Sequence, residues 1–265
     1  MSRISEKFSE LKARGEKALI PYIMAGDPDL ETTKRLILEI ERSGGDIIEL
    51  GVPFSDPLAD GPAIQRAAIR ALANKVSLRQ VISLVRDVRR ETQVPIILML
   101  YYNLILKYGE EKFVKDAVSA GVDGVIVPDL PPDEAASLMA SAREHGLDTV
   151  FLLAPTSDAG RIKLVSESSE GFIYYVSLTG VTGARRELDA GIEASVRKIK
   201  KAAKKPVCVG FGISNAEQAA KVAAWADGVI VGSALVGVIE KAGADAVKEA
   251  GRFSKSLKRG VLSGT

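Results

Sequence analysis

The stretch Asp46-Ile-Ile-Glu-Leu-Gly-Val52, continued by Pro53-Phe-Ser-Asp-Pro-Leu-Ala-Asp-Gly-Pro-Ala-Ile-Gln65, decides the architecture. With a period of two, its strand places Ile48, Leu50 and Val52 on one face and Ile47, Glu49 and Gly51 on the other. Both faces are mainly apolar, as in a strand covered on two sides, yet one of them holds a carboxylate. An isolated ionised carboxylate in an apolar interior is costly or shifts its pKa and neutralises. Glu49 therefore either reaches water at a frayed strand end or has chemistry to do.

Seven further runs resemble this one, so that eight apolar, β-branched-rich segments cover 18–25, 46–52, 95–102, 124–129, 149–154, 172–178, 206–212 and 228–233. Most are near-continuous rather than alternating, which predicts a parallel sheet buried under helices. Helix-period segments at 30–42, 78–92, 110–120, 133–145, 191–204 and 215–225 separate them. Eight βα units without an interrupting linker predict one closed (β/α)8 barrel over residues 1–265, with an open doubly wound sheet as the alternative. Ile4, Phe8 and Leu11 share a helical face that an N-terminal helix would bury under the barrel floor. Residues 53–77, with an extra helix at 63–73, and residues 178–190 are too long for ordinary βα turns. Both follow the C-terminal ends of strands, where active sites of this architecture sit. Another helical stretch, 234–239, follows the eighth run.

Composition narrows the classes of function. Hydrophobic residues make up 46% and charged residues 26%, as in ordinary globular enzymes. No run approaches the ~20 apolar residues of a membrane span, and residues 1–8 lack the apolar core of a signal peptide, so a cytoplasmic location is expected. A single cysteine, Cys208, excludes an intrachain disulfide. The 36 basic and 34 acidic residues are mixed along the chain, leaving no polybasic footprint for nucleic acid.

Elimination narrows the mechanism further. The only histidine, His145, precedes Gly146 at a predicted helix end, an ordinary capping position. Without a second histidine or cysteine there is no Ser-His-Asp or Cys-His site and no recognisable zinc cluster. No strand run carries a lysine for a Schiff base. Near the strand ends remain Glu49, Asp56, Asp60 and Asp129. Glu49, flanked by Ile47, Ile48 and Leu50, has surroundings that raise a carboxyl pKa towards neutrality. Asp60, on a loop bounded by glycine and proline, is expected to be more solvated and to stay ionised as a hydrogen-bond acceptor. Asp56, Asp60 and Asp129 each also read as turn residues.

Glycine placement suggests an anion site. Gly210-Phe211-Gly212 ends the seventh run, and Gly232-Ser233 ends the eighth before a helical stretch. Loops after these strands, with a helix N-terminus, make the usual phosphate cradle of this fold, although Gly212 as a strand end and Ser233 as a plain N-cap are the simpler readings. Thr182 and Gly183 in the sixth loop would add donors and hinge freedom.

Five motifs carry a resemblance over nearly the whole chain: Ala18-Leu-Ile-Pro-Tyr-Ile-Met-Ala-Gly-Asp27, Glu49-Leu-Gly-Val-Pro-Phe-Ser-Asp-Pro-Leu-Ala-Asp-Gly-Pro62, Val127-Pro-Asp-Leu-Pro131, Gly180-Val-Thr-Gly183 and Gly210-Phe-Gly-Ile-Ser214. The sequence resembles the tryptophan synthase alpha subunits. That likeness implies a lyase cleaving indole-3-glycerol phosphate to indole and glyceraldehyde 3-phosphate, with no cofactor in this chain. It also implies a beta-subunit partner that carries pyridoxal phosphate in an α2β2 complex, contacted through loop 53–62 and Asn103. By the same likeness Glu49 would be the acid/base and Asp60 the partner of the indole N–H. Tyr174 would position Glu49, and Tyr22, Leu100 and Val127 would wall the indole. Thr182, Gly183, Phe211, Gly212, Gly232 and Ser233 would bind substrate, most of them at its phosphate.

Overall fold

The computed structural model describes residues 1–176, 190–210 and 212–265. Its strands are β1 (Ala18–Met24), β2 (Ile48–Gly51), β3 (Ile96–Met99), β4 (Gly124–Ile126), β5 (Asp148–Val150), β6 (Leu152–Leu153), β7 (Ile173–Val176), β8 (Val207–Gly210) and β9 (Gly228–Val231). All pair in parallel, in the order β5-β4-β3-β2-β1-β9-β8-β7-β6. The two outermost strands of that order, β5 and β6, are consecutive in sequence and separated by Phe151 alone, so the chain itself joins the sheet into a cylinder of eight strand positions. At the break the Phe151 N–H donates to the Ser169 hydroxyl at 3.3 Å and the Phe151 carbonyl accepts from Tyr174 N at 3.1 Å. The fold is the expected (β/α)8 barrel.

Strand parity sorts the core. Ala18, Ile20, Ile47, Ile97, Ile126, Val150, Phe172, Cys208 and Ile230 cluster inside the cylinder, together with Ile4, Phe8 and Leu11 from the helix Arg3–Ala13. That helix plugs the floor as its apolar face predicts, with Phe8 against Phe172 at 5.8 Å between ring centroids. Each such burial contributes about 2 kcal/mol. The alternate residues, among them Leu19, Ile48, Leu50, Leu98, Val125 and Val209, pack outward against the helices. The helix Leu30–Arg42 shows why these segments form where they do. Asp29 caps it by accepting from Thr32 N at 2.6 Å, and Leu36, Ile37 and Ile40 turn one face to the sheet.

Several strands are shorter than their apolar runs, for local reasons. Asp46 leaves the ladder because its carboxylate accepts from Leu19 N at 2.8 Å and pairs with Lys258, also at 2.8 Å. The run 95–102 stops at Met99 because a helix, Tyr102–Tyr108, starts there; Asp129 accepts from Tyr102 N at 2.9 Å at its first turn. Expected extra helices appear as Pro62–Ala73 after β2 and Ser233–Ala242 after β9. The last helix, Ala246–Ser263, lies on Leu30–Arg42, Ala216–Ala223 and Ser233–Ala242. A Cβ on Gly260 would stand 2.2 Å from the Ala216 carbonyl oxygen, so glycine permits this close approach. Among the described residues no helix is long and apolar enough to cross a membrane.

Candidate active site

At the mouth of the barrel the inward parity that buries isoleucines lower down delivers polar groups instead. Glu49 in β2 stands beside Tyr22 of β1 and Ile97 of β3 in register. It is 1% exposed, and neither carboxylate oxygen has a hydrogen-bond partner among the described residues. Burial, with the Asp60 carboxylate as a second cause, pushes its pKa up to about 8. At neutral pH this side chain is mostly the neutral acid, a proton donor held without competing bonds.

Asp60 departs from the expected solvated environment. It is only partly exposed, and burial raises its pKa to about 6, against a hydrogen bond from Tyr101 that lowers it. It remains mostly ionised at pH 7, so the two carboxyls divide into acid and anion as anticipated, but the anion is held by a specific partner rather than by water. Tyr101 has no signal in the sequence beyond an aromatic at a strand end. Its hydroxyl accepts from Ala59 N at 2.9 Å while binding Asp60, and its ring stacks on Phe54 at 5.2 Å. Burial, followed by the Asp60 charge, raises its own pKa.

Two tyrosines complete the wall. Tyr22 is buried, and its pKa lies well above the ordinary value because of burial and then of the Asp60 and Glu49 charges. Its hydroxyl occupies the space over Gly51, where a Cβ would come within 2.1 Å of it. Tyr174 is related to Gly210 in the same way, at 2.5 Å, and is likewise raised by burial and then by Glu49. It makes no hydrogen bond to Glu49.

Leu100 and Val127, also expected in the wall, are buried just past the ends of β3 and β4. Both belong to the same hydrophobic cluster as Tyr22. Met99 and Ile126, one residue earlier on the parity of Ile97 and Gly124, pack with the inner cluster. Across the mouth, Gly232 caps the helix Ser233–Ala242 and Ser233 is its first residue and exposed, so the serine is not the cap. A Cβ on Gly232 would meet only ordinary contacts, the nearest at 3.6 Å, so packing does not require glycine there. Gly212 has φ +46° and open space around it, a backbone that favours glycine. Thr182, Gly183 and Phe211 lie outside the described residues. His145 ends the helix Ala136–His145 with Nδ1 2.9 Å from the Ser141 carbonyl, a local terminus contact, and Cys208 is buried in the inner core. Asp56 is exposed in its turn.

Comparison with known proteins gives one result. The family model described as "Tryptophan synthase alpha chain" matches residues 8–261. The chain is 54% identical over 266 residues to the tryptophan synthase alpha chain of Geobacter sp. (strain M21), with 100% of each chain covered. The crystal structure of tryptophan synthase subunit alpha from Legionella pneumophila str. Paris superposes with a TM-score of 0.93 at 41% identity, covering 99% of both chains. An open form of tryptophan synthase from M. tuberculosis gives 0.90 at 36% identity, over 98% of this chain and 99% of that one. With its barrel, its paired carboxyls and full-length relatives in agreement, this chain belongs to the tryptophan synthase alpha chain family.

Proposed function

We propose that this chain cleaves indole-3-glycerol phosphate by a retro-aldol reaction, with Glu49 as acid/base and Asp60 as the electrostatic partner of the indole nitrogen. The observation that carries it is a buried, unpartnered carboxyl with a pKa of about 8 beside a second carboxyl that stays ionised. Protonated Glu49 donates its proton to indole C3. Positive charge then develops on the ring nitrogen, where the Asp60 carboxylate accepts the N–H and stabilises it. As the bond from C3 to the glycerol carbon breaks, its electron pair returns to the ring. The Glu49 carboxylate takes the proton of the adjacent glycerol hydroxyl, which becomes the aldehyde. The proton count closes on one residue, and neither a metal nor an organic cofactor enters the chain of steps.

Tyr22, Leu100, Val127 and Tyr174 line the apolar side where the indole ring would lie, and Gly212, Gly232 and Ser233 offer backbone N–H groups to the phosphate, aided by the dipole of the helix Ser233–Ala242. Thr182, Gly183 and Phe211 belong to the same reading by resemblance. The whole chain 1–265 acts as one barrel domain in the cytoplasm, as an αβ pair within an α2β2 assembly whose beta subunit carries pyridoxal phosphate. Exposed Leu58, in the loop after β2, and Leu106, after β3, with exposed Asn103 between them in the mouth region, suit that contact. Glu49→Gln tests the assignment: indole release from indole-3-glycerol phosphate, measured with beta subunit present, is expected to vanish while glycerol 3-phosphate still binds. Retained release in that variant refutes it.

A further inference from the structure

Four charged side chains join two parts of the mouth that the reaction uses separately. The helix Pro62–Ala73 begins two residues after Asp60, and the Gln65 side chain returns to donate to the Asp60 carbonyl at 2.9 Å. The helix Ser233–Ala242 begins at the phosphate side. Between them Arg66 grips Glu240 with two bonds, Nε at 2.9 Å and Nη2 at 2.8 Å, and Arg70 Nη1 binds the same carboxylate at 2.7 Å. Arg70 turns its other edge to Asp27, after β1, in a bidentate pair at 2.7 and 2.8 Å, and Asp27 is buried. Nearer the mouth, Ile64 Cδ1 lies 3.8 Å from where a Cβ on Gly232 would stand. Planar, two-bond pairs fix direction as well as distance. The chain Asp27–Arg70–Glu240–Arg66 thus ties the two helices to each other and to the segment that follows β1.

We propose that Arg70 and Glu240 are positioning residues that couple phosphate binding at Gly232 and Ser233 to the placement of Asp60, so that a bound phosphate tightens the indole site. This rests on the function proposed above. Coupling of two ligands through a shared rigid body is reciprocal and measurable as a ratio of affinities. An isolated surface ion pair would be worth little, but here one guanidinium spans a buried and a half-buried carboxylate.

The test titrates the full chain with indole, in the absence and in the presence of saturating glycerol 3-phosphate, for the wild type, Glu240→Gln and Arg66→Gln. The wild type is expected to bind indole at least fivefold more tightly with glycerol 3-phosphate, in the range typical of coupled sites. Glu240→Gln is expected to bring that factor close to one while changing the affinity for each ligand alone less than twofold. A merely structural contact would weaken both ligands and leave their ratio intact. Arg66→Gln, at a half-exposed side chain, gives a partial loss and serves if Glu240→Gln fails to fold. An unchanged factor in the folded variants, or none in the wild type, overturns the proposal. Separately, absence of indole release from indole-3-glycerol phosphate by the wild type with beta subunit overturns the function itself, whereas release with an unchanged factor overturns only the coupling.

Discussion

Glu49 is held away from solvent with no donor among the described residues to offset its charge, and the cost of that arrangement depends on pH. Its folded pKa, about 8, lies above the value of 4.5 for a free glutamate, so the folded chain holds this proton more tightly than the unfolded one. Stability associated with the proton is complete below pH 4.5 and is lost as pH rises towards 8, at about 1.4 kcal/mol per pH unit. Glu49→Gln, which is neutral at every pH, is therefore expected to gain stability over the wild type across that window, by a few kcal/mol at its upper end; parallel urea titrations at pH 5 and pH 8 check it, and an equal difference at both refutes it. The proposed mechanism requires Glu49 protonated and Asp60 ionised, so kcat/KM should fall below about pH 6 and above about pH 8, the limbs belonging to the coupled pair. Tyr101→Phe keeps the stack on Phe54 but removes the hydroxyl between Ala59 and Asp60. The acid limb should move to higher pH and kcat/KM fall by about tenfold; a profile identical to the wild type would remove Tyr101 from the site.

Elements divide into those that a sequence can declare and those that it cannot. Glu49 was legible because a charge in an apolar strand has few explanations, and the strands were legible because burial on both faces leaves continuous runs. The inward turn of Met99 and Ile126 was legible in the alternation, whereas the surroundings of Leu100 and Val127 were not, because β3 and β4 end just before them. The helix Tyr102–Tyr108 was hidden inside an apolar run, its start set by Asp129 from a different loop. Tyr101 and the Arg70 cluster were invisible for the same reason: their partners lie far away in sequence, and no local pattern encodes them. Glycines of the strands belong to this scale too. Gly51 leaves room on β2 for the Tyr22 ring of β1, whose Oη, Cζ and Cε2 would lie 2.1, 2.6 and 2.9 Å from a new Cβ. Gly51→Ala should displace that ring beside Glu49 and lower kcat/KM by about 10- to 100-fold with the fold retained, as misplacement near 1 Å does. Steady-state kinetics with a circular dichroism control decide it; wild-type kinetics would show that the ring is a passive filler.

Across the whole molecule, the proposed acid, anion and phosphate cradle sit on strands and loops drawn from both halves of the chain, and neither half holds the full proposed set. Glu49 and Asp60 come with β2, while Gly212, Gly232 and Ser233 come with β8 and β9. A partner docked on the exposed leucines at the mouth, as proposed, would stand on the side where substrate enters and would exclude water there. The pairing of β1 with β9 has a further implication for how the protein is born. Pro21 leaves the ribosome early, and its ladder partner Val231 is among the late residues to be made. Until then one edge of β1 has only β2 beside it, an open apolar border in a growing polypeptide. Translation speed between the codons of β1 and those of β9 thus sets how long nascent chains present that border to chaperones and to one another.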